Sequence, residues 1–236
     1  MPKITAILAF TLALCMASTA RAQDRPKDAS SSATAQNSSG TAPVTANIDG
    51  IAARVGTDVL AESEVRELGD YQELVEGRTQ SRAQILDELV DQWVVRTEAL
   101  ATKFPRPTVA EVTLEFQTLL KQFPSREQFQ ARLAQVGLTQ EEVRQIISNQ
   151  LFYARFLDYK FHAATQISAA EIQSYYRQDF LPEVKKHGLA VPPLNQVEAQ
   201  IRQLLTQEGI NEKAARWLEQ AKARLRIVIQ PVGGGG

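Results

Sequence analysis

Five times between residues 81 and 171 a Ser or Thr is followed three positions later by Glu or Gln: Ser81/Gln84, Thr108/Glu111, Ser125/Gln128, Thr139/Glu142 and Ser168/Glu171. A helix begins with backbone N–H groups that have no partner inside the helix. A hydroxyl at the N-cap accepts from one of them, and the carboxylate or amide three residues on reaches back to another. One such pair is commonplace. Five in succession, set off by Pro105, Pro107, Pro124 and Gly137, predict a stack of helices joined by short turns.

The apolar spacing agrees. Ile85, Leu86, Leu89, Val90, Trp93, Leu100 and Phe104 follow one helical stripe, and Val112, Phe116, Leu119, Leu120 and Phe123 follow another. The helical region therefore runs from about residue 62 to 178. Residues 179–193, "DFLPEVKKHGLAVPP", hold three prolines and a glycine and predict an irregular connector. Leu194 to Arg224 is helical in pattern, with a break expected at Gly209-Ile210-Asn211. Two runs look like strands, Ile51–Val55 and Arg226–Gln230; between the first and a helix entry near Glu62-Ser63 lie the turn Gly56-Thr57-Asp58 and Val59-Leu60. A lone strand leaves its backbone groups unpaired. The two runs are thus expected to pair and bring the ends of the domain together. The reading is one mainly-α domain over 47–231, with a small two-stranded β element joining its ends. Its parts are a helical core at 47–178, the connector at 179–193 and a C-terminal helix and strand at 194–231.

Ahead of the domain, Lys3 and the apolar run Ile4–Met16 precede Ala20-Arg21-Ala22, small residues at −3 and −1. That is the pattern of a cleaved signal peptide over residues 1–22. It implies export to the periplasm, with secretion as the alternative. The run is too short for a membrane span, and no later segment is apolar enough for one. Leu14 is too bulky to precede a lipid-bearing cysteine at Cys15. Residues 23–46 are Ser-, Ala-, Thr-, Gln- and Asn-rich and read as a flexible linker. Residues 232–236 read as a flexible tail. Cys15 is the one cysteine, so a chain cleaved after Ala22 carries no disulfide, thiolate nucleophile or Cys-based metal site.

The helix that Thr139 caps poses a question. At about 100° per residue, Val143, Ile146, Ile147, Leu151, Leu157 and Phe161 fall on one side, with Tyr153 at its edge. Phe152, Phe156 and Tyr159 fall on the other. A helix apolar on both sides is sandwiched or binds something. Either the chain's own C-terminal segment covers the aromatic stripe, or part of the stripe lines a groove for an apolar or aromatic peptide. On the second reading Phe152, Phe156 and Tyr159 are the peptide-binding candidates, with Phe116 and Phe123 beside them. Trp93, Trp217, Ile147 and Leu151 read as core.

Several stretches resemble the SurA N-terminal domain family. They are "VGTDVLAESEV" (55–65), "QILDELVDQWVVRTEALATKF" (84–104), "SREQFQARLAQVGLTQEEVRQIISNQL" (125–151), "ISAAEIQSYY" (167–176) and "INEKAARWLEQAKARLRIVI" (210–229), the last with Trp217 at the characteristic position. The resemblance spans about residues 48–231. It implies an ATP-independent periplasmic chaperone for unfolded or outer-membrane polypeptides, without a cofactor. Where family members often carry a parvulin prolyl isomerase domain, between Tyr176 and Leu194, this chain has only the connector. The parvulin glycine-rich segment and its paired histidines have no counterpart, so the resemblance implies no isomerase. The alternatives are a non-catalytic assembly factor that docks one folded envelope partner, and an isomerase-related protein with residual activity. The oligomeric state is left open.

Other chemistry finds no support in the residues. His162 and His187 are the only histidines and lie in no metal-binding spacing. There is no Gly-x-Ser-x-Gly elbow, phosphate loop or dinucleotide fingerprint. Glu62/Glu64 and Glu141-Glu142 stand at helix starts, where the dipole favours negative charge. Arg216, Lys222, Arg224 and Arg226 read as a solvated helix end, and the net charge of −1 gives no pull toward nucleic acid.

Overall fold

The computed structural model describes residues 49–188 and 190–231. The expected leader (1–22), linker (23–46) and tail (232–236) lie outside them. A hairpin of β1 (Ile51–Val55) and β2 (Asp58–Ala61) leads into α1 (Glu62–Glu76) and α2 (Arg82–Ala101). Then come α3 (Val109–Leu120), α4 (Arg126–Val136) and α5 (Gln140–Phe161). A short 3₁₀ turn, His162–Ala164, precedes α6 (Ala169–Tyr175), which runs through a π turn, Tyr176–Phe180, into α7 (Leu181–Lys186). The long α8 (Leu194–Lys222) and β3 (Ile227–Ile229) close the chain.

The fold is mainly helical, and all five helix starts read from the sequence are present. Ser81, Thr108, Thr139 and Ser168 each accept a backbone N–H three residues on and receive the return bond. Ser125 caps α4 without the return bond from Gln128. At α1, where Ala61 offers no hydroxyl, Glu64 still accepts from the Ala61 N–H at 2.7 Å. Gly137, at φ 79°, ends α4 in the left-handed conformation that a Cβ disfavours.

The end strands pair as expected, antiparallel, with Arg54 opposite Val228. The sheet has three strands rather than two, in the order β2-β1-β3, because Val59-Leu60 folds back on β1. Its inner face sets Ala53, Val55 and Leu60 against Leu68, Ile85, Leu86 and Leu89. The outer row, Val59, Arg54 and Val228, is exposed. The outer edge of β3 is three residues long and runs into Pro231, which blunts it as a template for further strands.

Two further apolar clusters fill the body. One joins α1, α3, α4 and the first half of α5 through Tyr71, Phe116, Leu119, Phe129, Val143 and Ile147. Arg132 fastens α4 to α1, bonding the Glu73 carboxylate at 2.6 Å and its carbonyl at 3.0 Å. The other joins α2, the second half of α5 and α8.

Two expectations about breaks are overturned. Residues 179–186 of the expected connector are helical: the π turn Tyr176–Phe180 carries α6 into α7, with Pro182 directly after it. The irregular part shrinks to the turn at His187-Gly188 and to residues 190–193. At Gly209-Ile210-Asn211 α8 continues without a break, and Ile210 is buried. Gly209 is there for space: a Cβ on it would lie 2.5 Å from Thr165 Cγ2. Thr165 is itself buried and held by its hydroxyl, which donates to the Phe161 carbonyl at 2.9 Å.

Gly209→Ala should therefore lower the melting temperature, its gain in helix propensity of up to about 1 kcal/mol outweighed by an overpacking cost of about 1–3 kcal/mol. Thr165→Ser, which removes the methyl in the way, should restore most of the loss in the double variant. Thermal melts of the two single variants and the double variant check this.

Candidate functional site

Helix α5 is sandwiched by its own chain. Phe152 and Phe156 are buried, at 0% and 1% exposure, and do not form a surface. The C-terminal helix is not what covers them. The link after α2 supplies Phe104, whose ring centroid lies 5.9 Å from Phe152 and 5.4 Å from Phe156. The Arg106 guanidinium sits 4.9 Å over the Phe152 ring. Helix α8 instead covers the side that carries Leu157 and Phe161, with Trp217 5.9 Å from Phe161 and Leu218 beside Leu157. Lys160 lies over both Phe156 and Trp217, at 5.7 and 4.8 Å, with its ammonium 2.9 Å from Glu98.

Of the aromatic stripe only Tyr159 faces solvent, at 68% exposure, stacked obliquely on half-buried Phe104 at 5.3 Å. Leu100, expected in the core stripe of α2, is exposed on its last turn. Phe116 is buried against Phe129 beneath Arg144, which is 4.0 Å from its ring. Phe123 is half-buried on the same cluster. Neither belongs with Tyr159. Of the core candidates, Ile147 is fully buried, while Leu151, Trp93 and Trp217 are half-buried and packed against the clusters.

Trp93 does more than fill space. Its indole N–H donates to Asp58 at 2.8 Å and ties α2 to the hairpin turn. Its ring also lines a recess of about 100 Å³ between β2, α1, α2 and α5. Leu68, Leu89 and Ile146 supply aliphatic lining; Tyr153, Asn149, Gln150, Glu64, Glu67 and Arg96 supply the polar groups. Glu64 is committed to the α1 cap. Glu67 is pushed above the usual carboxylate range, first by burial and then by Glu142 and Glu64. Burial also raises the Tyr153 phenol. Arg96 is half-buried and has neither a carboxylate nor a hydrogen-bond partner among the described residues. The recess is large enough for one side chain and too small for a cofactor.

A second, open groove of about 660 Å³ runs along the first half of α8, lined by Asp158, His162, Glu198, Arg202, Gln203 and Ile210. His162 stands at the C-cap of α5, as read from the sequence, with Nδ1 3.0 Å from Asp158. His187 pairs with Glu183 at 2.9 Å. Among the described residues no group of three or more His, Cys, Asp and Glu could hold a metal ion, and no helix is long and apolar enough to cross a membrane.

Sequence reasoning missed Arg96 and Tyr153 as partners, because the recess is built from three helices far apart in sequence. It also missed a polar cluster at the α2–α8 seam, although a signal existed. Glu88 and Gln92 fall in phase with Ile85, Leu89 and Val95, inside the apolar stripe of α2. Of the cations expected to be solvated at the end of α8, Arg216, Arg224 and Arg226 are exposed and Lys222 is the correction. Lys222 has a side chain only 13% exposed and sits within 3.0 Å of Asp87, Asp91 and Glu219.

Phe152→Ala should cost about 3–5 kcal/mol of stability, as for a fully buried aromatic, whereas Tyr159→Ala should cost under about 1 kcal/mol. Urea unfolding of the two variants separates them.

Set against known proteins, the sequence matches no family model, and no curated protein matches it.

Proposed function

We propose that this chain is an ATP-independent chaperone of the SurA type that holds unfolded envelope or outer-membrane polypeptides and carries no isomerase activity of its own. The observation that supports this most is the recess between α1, α2 and α5. It joins an aromatic and aliphatic lining to an uncommitted guanidinium and a buried phenol, on a helical scaffold whose first and last strands are paired. Such a lining suits the side chains of an extended, partly apolar polypeptide and discriminates weakly between sequences. Exposed Tyr159, backed by Phe104, adds a second aromatic contact on the same helix. The order of strand, helices and strand follows the segments that resemble the SurA family.

Suppression of aggregation of an unfolded outer-membrane protein, without nucleotide, tests the reading. The wild type should protect at near-stoichiometric concentration. A folded Tyr159→Ser/Arg96→Glu variant should need about fivefold more protein for the same protection, the worth of an aromatic contact of about 1 kcal/mol. A wild type that does not protect any of several unrelated clients, yet captures one folded envelope protein, overturns the chaperone reading in favour of a dedicated assembly factor.

A further inference from the structure

Where the second half of α8 lies on α2, the chain gathers more carboxylates than cations. Asp87, Glu88 and Asp91 come from α2 and Glu219 from α8, while Lys222 is the one ammonium among them. Lys222 Nζ is 3.0 Å from Asp87, 2.9 Å from Asp91 and 2.9 Å from Glu219. Buried Asp91 Oδ1 has this ammonium against it and no other polar partner. Glu88 pairs with no cation among the described residues. Its carboxylate takes only the amide N–H groups of Gln72 and Gln92, each at 3.2 Å. Gln72, from α1, is held in this orientation because its own Oε1 accepts from the Gln80 N–H at 3.1 Å. Glu76 of α1 is a further acid within range of Glu88, and α5 contributes only the neutral Gln150 and Tyr153. Glu88 and Asp91 share a closed pocket with Val95, Leu157 and Leu218, with room for less than one water, about 10 Å³.

We propose that this seam is a proton-operated latch: α8 sits firmly on α2 and α5 when Glu88 and Asp91 carry protons, and loosens when they ionise. Two half-buried carboxylates lining one small pocket beside Val95, Leu157 and Leu218, only one of them paired with the lysine, cannot both be charged at low cost. Loosening α8 uncovers Leu157 and Phe161 on α5, the helix that also carries Tyr159, and frees Trp217 on α8 itself. The bearing on client capture rests on the chaperone reading, but the latch itself does not.

The sign follows from the two carboxyls. Burial, then Asp91 and Glu76, push Glu88 up to about 7 against the amide bonds that oppose it. Burial, then Asp87 and Glu219, push Asp91 up to about 6 against the pull of Lys222. Both values stand above the ordinary ones for the free side chains, 4.5 and 3.8. The closed seam therefore binds protons. Its contribution is full below about pH 4 and is lost as pH rises through 6 to 7. Lys222 is held above its usual range by the three carboxylates, despite burial, so it stays charged throughout this window.

The test uses the full chain without any client, so its outcome is independent of the chaperone assay. Carboxyl ¹³C titration should place Glu88 and Asp91 above pH 5.5. Hydrogen exchange, corrected for the intrinsic pH dependence, should show Ala214–Lys222 losing at least about tenfold in protection relative to α4 between pH 5.5 and 8, one coupled proton giving about tenfold per pH unit. Glu88→Gln should flatten most of that change. Both carboxyls titrating below pH 5, α8 and α4 losing protection together, or an undiminished change in a folded Glu88→Gln variant would each overturn the latch. If Glu88→Gln does not fold, the two wild-type measurements decide alone.

Discussion

Helix α5 carries one apolar stripe along its roughly six turns and a second, aromatic one along its second half, and water cannot be left against both. The rest of the structure is arranged to meet that demand. Its first half is packed by α1, α3 and α4, its second half by α2 and α8, and the ring of Phe104 closes over Phe152 and Phe156. Two apolar clusters are thus threaded on one helix. Neither α3–α4 nor α8 is a separate unit, because α3–α4 buries its apolar face against α1 and α5, and α8 buries its own against α2 and α5.

The pairing of β1 with β3 has a different role. It buries little by itself, yet it holds the end of α8 where Leu225 and Ile227 reach the cluster under the sheet and Lys222 reaches the acids of α2. The seam that results mixes hydrocarbon with more carboxylate than its lysine can match. Charge placed there raises the energy of the packed state, and stability at this point depends on protons as well as on packing.

Between these constraints the exposed chemistry is modest. A recess with Trp93, Tyr153 and Arg96, an exposed Tyr159 on Phe104 and a polar groove along α8 are what the packing leaves over. A protein that must release its partner needs weak, plural contacts of this kind, since a deep preformed pocket would select one ligand and hold it.

Helix starts were legible in the sequence because a cap is a local bond: Thr139 and Glu142 are three residues apart and meet whatever the rest of the chain does. The pairing of the end strands was legible because a strand-like run after the last helix needs a strand edge to bond to, and β1 supplies it, although β2 on its other side was not foreseen. That α5 is apolar on two sides was equally plain from its 100° spacing. What covers the second side was not. Phe104 looked like the end of the α2 stripe, and only the turn at Lys103, in the left-handed region at φ 54°, swings it across to Phe152 and Phe156. Gly209 read as a helix breaker because glycine is a poor helix former, whereas its use is to admit Thr165 from a segment more than forty residues away. The recess and the α2–α8 seam depend on which helices become neighbours. That choice is made by summed apolar burial over the whole chain, which local spacing does not encode.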